Sequence, residues 1–145
     1  MKKNILLIAF ILSGIVAKTQ TAYITNSSDG TVSVINVATN TVTGTITVGS
    51  DPVCESVSPD GSKVYVANGS SLSISVINTA TNTVTATIPV STNPEGVSVS
   101  PDGSTVYVAA GGSSLFVINT STNTVTTTIT VGTNPFGVAI NPAGS

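Results

Sequence analysis

The feature that most constrains this chain is an internal repeat with a period of 41 or 42 residues. The tyrosines of the chain lie 42 residues apart, at Tyr23, Tyr65 and Tyr107. The segment Thr-Asn-Thr-Val-Thr recurs at nearly the same spacing and begins at Thr39, Thr81 and Thr122. Three copies in register cannot result from composition alone. The fold must therefore be built from one structural unit that is used three times.

Each copy contains four short segments in which apolar and polar residues alternate. Around the second copy they are Val64–Asn68, Ser73–Asn78, Thr83–Val90 and Gly96–Ser100. A period of two predicts β-strands, and no segment has apolar residues at helical spacing. The Ser-Pro-Asp-Gly turns predict tight hairpins, because proline presets φ, aspartate bonds the nearby backbone and glycine accepts positive φ. The asparagines of the Thr-Asn-Thr-Val turns are expected in the left-handed region.

Four strands in about 40 residues are typical of one blade of a β-propeller. One small sheet cannot bury both of its faces, whereas neighbouring blades cover one another. The threonine-rich segments fit the outermost strand, which can leave one face exposed to solvent. Pro89 supports this placement, because edge strands tolerate proline. The segments of small residues and valine fit the innermost strand, where blades crowd the axis. We therefore predict an all-β chain of four-stranded antiparallel sheets that amounts to three blade equivalents.

The N-terminus has the layout of a secretory signal peptide. Lys2 and Lys3 precede an apolar run that ends at Ala17, a small residue suited to cleavage. The alternatives are an uncleaved anchor or a buried strand, but the run is short for a membrane span. We expect residues 1–17 to be the signal peptide and residues 18–145 to carry the repeats, with copies starting near residues 23, 65 and 107. The mature chain would then be exported (periplasmic, cell-surface or secreted) and would have no membrane span.

Composition disfavours several classes of function. Six acidic residues oppose four basic ones, and the mature chain keeps two lysines, so no basic patch for nucleic acid can form. The sequence has no histidine, which removes the usual base of a nucleophilic triad. Cys54 is the only cysteine, so no intramolecular disulfide can form, and a small packed residue is a better account of it than a nucleophile. We predict no catalytic residues, no metal site and no cofactor, and we expect that the chain is not an enzyme.

The motifs of the repeat resemble those of the YVTN family of β-propeller repeats. The matching features are the Tyr-x-x-Asn start, the TVSVIN core, the TNTV turn, the TIxVG strand and the SPDG hairpin, in that order over essentially the whole mature chain. The resemblance implies an exported bacterial or archaeal propeller. It implies little about chemistry, since members range from surface-layer proteins to propellers associated with redox enzymes and lactonases. The chain departs from the pattern at Cys54, Glu55, Ala110 and Ala143.

Differences between the copies mark candidate ligand-binding residues. Val53, Glu95 and Phe136 occupy one repeat position beside a proline, at the start of the innermost strands that line the axial channel. We expect Glu95 to be a solvated acid on a loop, and the alternative is that it faces a ligand at the channel mouth. Glu55 stands where the other copies have valine, so it points between blades or into the channel. A buried carboxylate there needs a partner, for which Lys63 is a candidate, or a raised pKa.

The repeat also leaves a question of closure. The mature chain begins at a second strand and ends after a predicted first strand, Gly137–Asn141. Three blades cannot close a ring, since propellers have four to eight. Either the chain is a fragment with further blades, or two chains complete a six-bladed ring. The leading hypothesis for function is a non-catalytic module that binds a protein or the cell envelope. The alternative is part of a larger propeller enzyme, or an enzyme-associated domain, with its active residues in missing blades.

Overall fold

The computed structural model describes residues 20–142. The predicted signal peptide, residues 1–17, and the turn residue Ala143 lie outside the described residues. Within residues 20–142, no helix is long and apolar enough to cross a membrane.

The described chain forms three antiparallel sheets, each a meander of consecutive strands. Sheet 1 contains β1 (Thr21–Asn26), β2 (Thr31–Asn36) and β3 (Thr41–Thr47), with a short 3₁₀ turn at Ser27–Asp29. Sheet 2 contains β4 (Pro52–Val57), β5 (Lys63–Asn68), β6 (Ser73–Asn78) and β7 (Thr83–Pro89). Sheet 3 contains β8 (Pro94–Val99), β9 (Thr105–Ala110), β10 (Ser114–Asn119) and β11 (Thr124–Thr130). The predicted all-β fold, with its blade-like sheets, is confirmed.

The order of strands within each sheet also agrees with the prediction. The threonine-rich strands β3, β7 and β11 each lie at one edge of their sheet, and β4 and β8 lie at the opposite edge of theirs. The innermost strands β4 and β8 pack closely, whereas β3 and β7 barely touch. The sheets therefore converge at one edge and diverge at the other, as blades around an axis do.

Alternate side chains on each strand build two apolar layers between the three sheets. The layer between sheets 1 and 2 consists of Tyr23, Val32, Val34 and Ile46 against Val64, Val66 and Ile77. The layer between sheets 2 and 3 places Tyr65, Ile74, Val76 and Ile88 against Val106, Val108 and Ile118, among others. The second set repeats the first one copy later in the sequence. One interface is thus used twice, and sheet 2 is covered on both faces.

The hairpin turns have the predicted chemistry. Gly61 and Gly103 have φ of 72° and 73°. In the first turn, an Asp60 carboxylate oxygen accepts the Ser58 hydroxyl at 2.6 Å and the backbone N–H of Ser62 at 3.0 Å. The asparagines of the second type of turn have positive φ of 53° to 54°: Asn40, Asn82 and Asn123.

One strand prediction was wrong. Gly137–Asn141 forms no strand, although its sequence, GVAIN, resembles that of the innermost strand β8. The segment begins beside β8, because the carbonyl oxygen of Phe136 lies 2.6 Å from where a Cβ on Gly96 would stand. A strand also needs a hydrogen-bonded neighbour along its edge. No second strand of the described chain lies next to this segment, and sheet 1 correspondingly has no innermost strand.

Candidate functional site at the start of the innermost strands

The innermost strands begin with a β-bulge, which neither composition nor period revealed. In sheet 2, Pro52 pairs with Asn68 and Cys54 with Ala67, so the ladder skips Val53. Sheet 3 repeats this, and Glu95 is skipped between Pro94 and Gly96. A skipped residue is released from the pleat and its side chain is re-aimed, which is why bulges are common beside binding sites. Val53 and Glu95, which stand at one repeat position and differ chemically, are therefore both released from the regular pairing.

Glu95 and Phe136 meet at one small pocket. Its volume is about 200 Å³, and it is lined by Glu95, Gly111, Asn134, Pro135 and Phe136. The Phe136 ring is 76 % exposed, the most exposed of the large apolar residues of the described chain. The Glu95 carboxylate accepts a hydrogen bond from Nδ2 of Asn93 at 2.5 Å, and this contact orients it. The pocket thus combines an aromatic surface with a fixed carboxylate.

The other two candidate residues lie elsewhere. Val53 occupies the bulge of sheet 2 and does not line the pocket. Glu55 lies on β4 and interacts with Thr25 of sheet 1, so it points between the sheets. Burial raises the pKa of the Glu55 carboxyl, and hydrogen bonds from the side chain and backbone of Thr25 act against that rise. The structure therefore separates the four residues into a pocket pair and two single positions.

Lys63, the partner considered for Glu55, lies toward sheet 3 instead. Its Nζ is 3.5 Å from the carbonyl oxygen of Thr120. It also lines a second pocket of about 230 Å³ that contains both turn aspartates, Asp60 and Asp102. The 42-residue spacing of the Ser-Pro-Asp-Gly turns could have predicted this pairing of aspartates across neighbouring blades. Both carboxylates are engaged by their own turns, and within residues 20–142 no group of three metal-ligating side chains occurs.

A larger groove between sheets 1 and 2 was not anticipated. Its volume is about 570 Å³, and hydroxyl groups of Thr47, Ser71, Ser73 and Ser75 are among those that line it. Ser73 and Ser75 accept hydrogen bonds from Nδ2 of the fully buried Asn68.

Cys54 is partly buried and packs against the layer between sheets 2 and 3, so it fills space there.

Comparison with known proteins identifies a family and a fold. The sequence profile of a domain of unknown function, DUF5074, matches residues 9–143. No curated protein matches the chain.

Two solved structures are similar to it. The first is Kuenenia stuttgartiensis hydrazine synthase, with a TM-score of 0.79 and 33% sequence identity over 81% of this chain and 34% of that one. The second is a functionally unknown protein from Desulfotomaculum acetoxidans DSM 771, with a TM-score of 0.79 and 20% identity over 86% of this chain and 41% of that one. The chain spans less than half the length of either, and the second likeness shows the fold alone. The antiparallel sheets, the apolar layers between them and the similar solved structures all indicate a β-propeller-like architecture. The chain belongs to the DUF5074 family.

Proposed function

We propose that the chain is an exported β-propeller module of the YVTN type that binds a protein or cell-envelope partner at the mouth of its axial channel. The repeat motifs support the YVTN assignment, and the apolar run behind Lys2 and Lys3 supports export. The function proposed is recognition without catalysis, since the described residues offer carboxylates and hydroxyl groups but no assembled nucleophile and base.

The observation that carries the proposal is the bulge at the start of the innermost strands. The bulge recurs in sheets 2 and 3, while the skipped residue changes from Val53 to Glu95, and Phe136 holds the same repeat position in the sequence. A position that is structurally fixed and chemically varied suits recognition rather than folding. The exposed Phe136 ring supports this further, because large aromatic side chains at a surface commonly serve as binding anchors.

The chemistry of the pocket limits the partner. An exposed aromatic face binds apolar or flat groups, and the neighbouring Glu95 carboxylate accepts hydrogen bonds or pairs with a cation. A partner segment that presents a lysine, arginine or hydroxyl group next to an apolar group fits both features.

Sedimentation with isolated cell envelopes of the producing organism tests binding. We expect the purified mature chain to co-sediment, and Phe136→Ala and Glu95→Gln to reduce the bound fraction. Val57→Ala is the matched control, since Val57 is a 44 % exposed residue at the other end of an innermost strand. Equal binding by all four proteins would contradict the proposed surface. Mass spectrometry of the exported chain tests the leader, with Lys18 as the expected first residue.

A second candidate function is a propeller domain that belongs to a larger redox enzyme. It is favoured by the likeness to hydrazine synthase at 33% identity, where this chain matches about a third of the other. Native purification tests it: a redox protein that co-elutes in one complex would support this function. A chain that elutes free of such a protein would support the binding module instead.

A further inference from the structure

The large groove between sheets 1 and 2 lies at a repeat position that is filled between sheets 2 and 3. It runs between the end of β3 and the strands β6 and β7, and its volume is about 570 Å³. Ser75 lines it, and the third copy has Phe116 at the same repeat position. The Phe116 ring is 3 % exposed and packs in the layer between sheets 2 and 3. An aromatic ring therefore occupies in one layer the position that borders a groove in the other.

A buried amide sets the direction of two hydroxyl groups in this groove. Nδ2 of Asn68 donates to Oγ of Ser73 at 3.3 Å and to Oγ of Ser75 at 2.9 Å. Within residues 20–142, neither serine hydroxyl donates a hydrogen bond of its own. A hydroxyl group whose oxygen already accepts from an amide keeps its proton for another acceptor. Both serines can therefore donate to a molecule that enters the groove.

The amide of Asn68 is itself incompletely paired. Asn68 is fully buried, and its Oδ1 has no hydrogen-bond partner among the described residues. It adjoins the groove at Gly49, because a Cβ added to Gly49 would lie 2.7 Å from Cγ of Asn68. A buried oxygen without a partner costs free energy, which a donor that reaches it from the groove would recover. The third copy has Ala110 at this position, so its filled layer carries no such group.

The rim of the groove carries a strained apolar residue. Leu72 has a φ of 49°, in the left-handed region, and its side chain is 42 % exposed. Gly30 stands at the same repeat position in the first copy, with a φ of 64°. A bulky side chain is unfavourable in this conformation, which glycine adopts freely, and such strain clusters at ligand-binding sites. Strain and exposure together indicate a side chain that is kept for a contact rather than for the fold.

The lining defines the chemistry of a ligand. None of its ten residues in the described chain carries a charge. It combines hydroxyl groups with aliphatic side chains: Thr47, Ser71, Ser73, Ser75 and Thr87 with Val48, Leu72, Val84 and Pro89. A neutral sugar has the same two parts, since its ring carries hydroxyl groups around a face of C–H groups. The volume of the groove also falls within the range of small-molecule sites.

We propose that this groove binds a neutral mono- or disaccharide. Ser73 and Ser75 donate hydrogen bonds to sugar oxygens, and Leu72 packs against the C–H face of a ring. The site lies between two sheets that the structure describes and is separate from the pocket of Glu95 and Phe136. The inference therefore goes beyond the function proposed above and does not depend on it.

Isothermal titration calorimetry of the purified mature chain tests the ligand class, with cellobiose, maltose and N,N′-diacetylchitobiose as probes. We expect saturable binding of at least one of them. Cellobiouronic acid should bind more weakly than cellobiose, because the lining offers no cation to its carboxylate. Failure of all three neutral sugars to bind at millimolar concentration would overturn the proposal, and so would tighter binding of the charged sugar.

Variants that copy the third repeat test the position of the site. Asn68→Ala with Ser75→Phe installs the residue types of the filled layer, so sugar binding should be lost while circular dichroism still shows a folded chain. Thr87→Ala removes one hydroxyl group from the lining and should weaken binding about tenfold. Thr128→Ala, at the same repeat position but opposite Phe116, is the matched control and should bind like the wild type.

Leu72→Gly separates binding from folding. The change restores the residue type of the first copy and removes the strain, so the melting temperature should not fall, whereas affinity for the sugar should fall several-fold. A purely structural role for Leu72 would instead lower the melting temperature and leave affinity unchanged. Equal affinity of the wild type, Thr87→Ala and Leu72→Gly would place the sugar elsewhere and refute the site, whether or not the double variant folds.

Discussion

At the scale of single residues, the turn aspartates Asp60 and Asp102 show how this chain stabilises itself with few charges. The pKa of each carboxyl is lowered to about 2, chiefly by the hydroxyl group of the preceding serine and then by the backbone N–H and hydroxyl group of the following one. Each carboxylate therefore organises a whole hairpin turn although it lies at the surface. The effect is local, since it comes from hydrogen bonds within the turn.

The lowered pKa values predict an acid-sensitive fold. A carboxyl group whose pKa is lower in the folded chain binds fewer protons there, so its stabilisation is complete above the ordinary pKa of 3.8 and disappears as pH falls through about 2. We expect the melting temperature of the wild type to fall by a small amount across that window, because solvent screens two carboxyl groups that lie at the surface. The double variant Asp60→Asn with Asp102→Asn should be less stable at neutral pH and should lose less on acidification. Parallel pH profiles for the two proteins would contradict this origin of the acid sensitivity.

At the same scale, the buried residue Asn68 depends on the small size of its neighbour Gly49. Asn68 is fully buried. A Cβ added to Gly49 would lie 2.7 Å from Cγ of Asn68 and 2.8 Å from Cβ of Asn68. In the third copy, Ser91 stands at the position of Gly49 and Ala110 at the position of Asn68. A large residue thus faces glycine in one copy, and a small residue faces serine in the next. The loss of the asparagine at Ala110, which the other two copies keep as Asn26 and Asn68, accompanies a change at the position of Gly49.

This arrangement predicts that the two positions are coupled. Gly49→Ala should destabilise the fold by about 1–3 kcal/mol, because the added Cβ overlaps a side chain that its hydrogen bonds hold in place. The same change in an Asn68→Ala background should cost much less. Gly132→Ala, at the same repeat position with open space around it, is the control. Urea denaturation of the four combinations measures the coupling, and purely additive effects would show that the two sites are independent.

At the scale of elements, each outermost strand carries a bulge at the same place. The ladder skips Thr43, Thr85 and Thr126 in β3, β7 and β11. Each skipped threonine donates its hydroxyl to a carbonyl of the neighbouring strand, at 3.1 to 3.2 Å from Val34, Val76 or Val117. Bulges twist an edge strand and make it a poor template for pairing with another chain. The threonines therefore both stabilise and protect the exposed edges.

Removing one of these hydroxyl groups should have a modest, local cost. Thr85→Val keeps the shape and the strand preference but loses the bond to Val76, so we expect a loss of about 1 kcal/mol. Thr85→Ser keeps the hydroxyl group and should retain most of the stability that Thr85→Val loses. Thr87→Val, two residues further along the same exposed strand, is the control and should be close to neutral. Chemical denaturation separates these outcomes, and equal losses for Thr85→Val and Thr87→Val would show that the bulge hydroxyl is not the cause.

The elements also show what the sequence could and could not predict. Alternation and turn residues located the strands to within about two residues, because each signal is local and is repeated three times. The bulges at Val53 and Glu95 were not predictable, since skipping a residue leaves the alternation on either side intact. The segment Gly137–Asn141 was predicted as a strand from its sequence, but pairing depends on a neighbour that sequence alone does not supply. Glu95 and Phe136 were chosen as variable positions, and only the structure shows that they share a pocket.

At the scale of the whole molecule, the three sheets are unequally covered. Sheet 2 lies between two neighbours, and almost every residue of β5 and β6 is buried. Sheets 1 and 3 each have one covered face. In repeat proteins stability is close to a sum of terms for units and for their interfaces, so the central unit gains two interface terms and each outer unit gains one.

Hydrogen exchange should show that sheet 2 is more stable than sheets 1 and 3. We expect the amides of β6 to exchange more slowly than those of β2 and β10, because opening sheet 2 disrupts both apolar layers. Slower exchange in β2 or β10 than in β6 would contradict the interface-based account.

The repetition of a single junction bears on how such a chain can grow during evolution. Because the layer between sheets 1 and 2 is repeated between sheets 2 and 3, a gene segment duplicated in frame would encode a sheet whose apolar faces already match those of its neighbours. Selection could then vary the length of the arc by whole units while the ancestral packing was kept. Changes in specificity would require only point substitutions at the bulge position of the innermost strands, Val53 or Glu95.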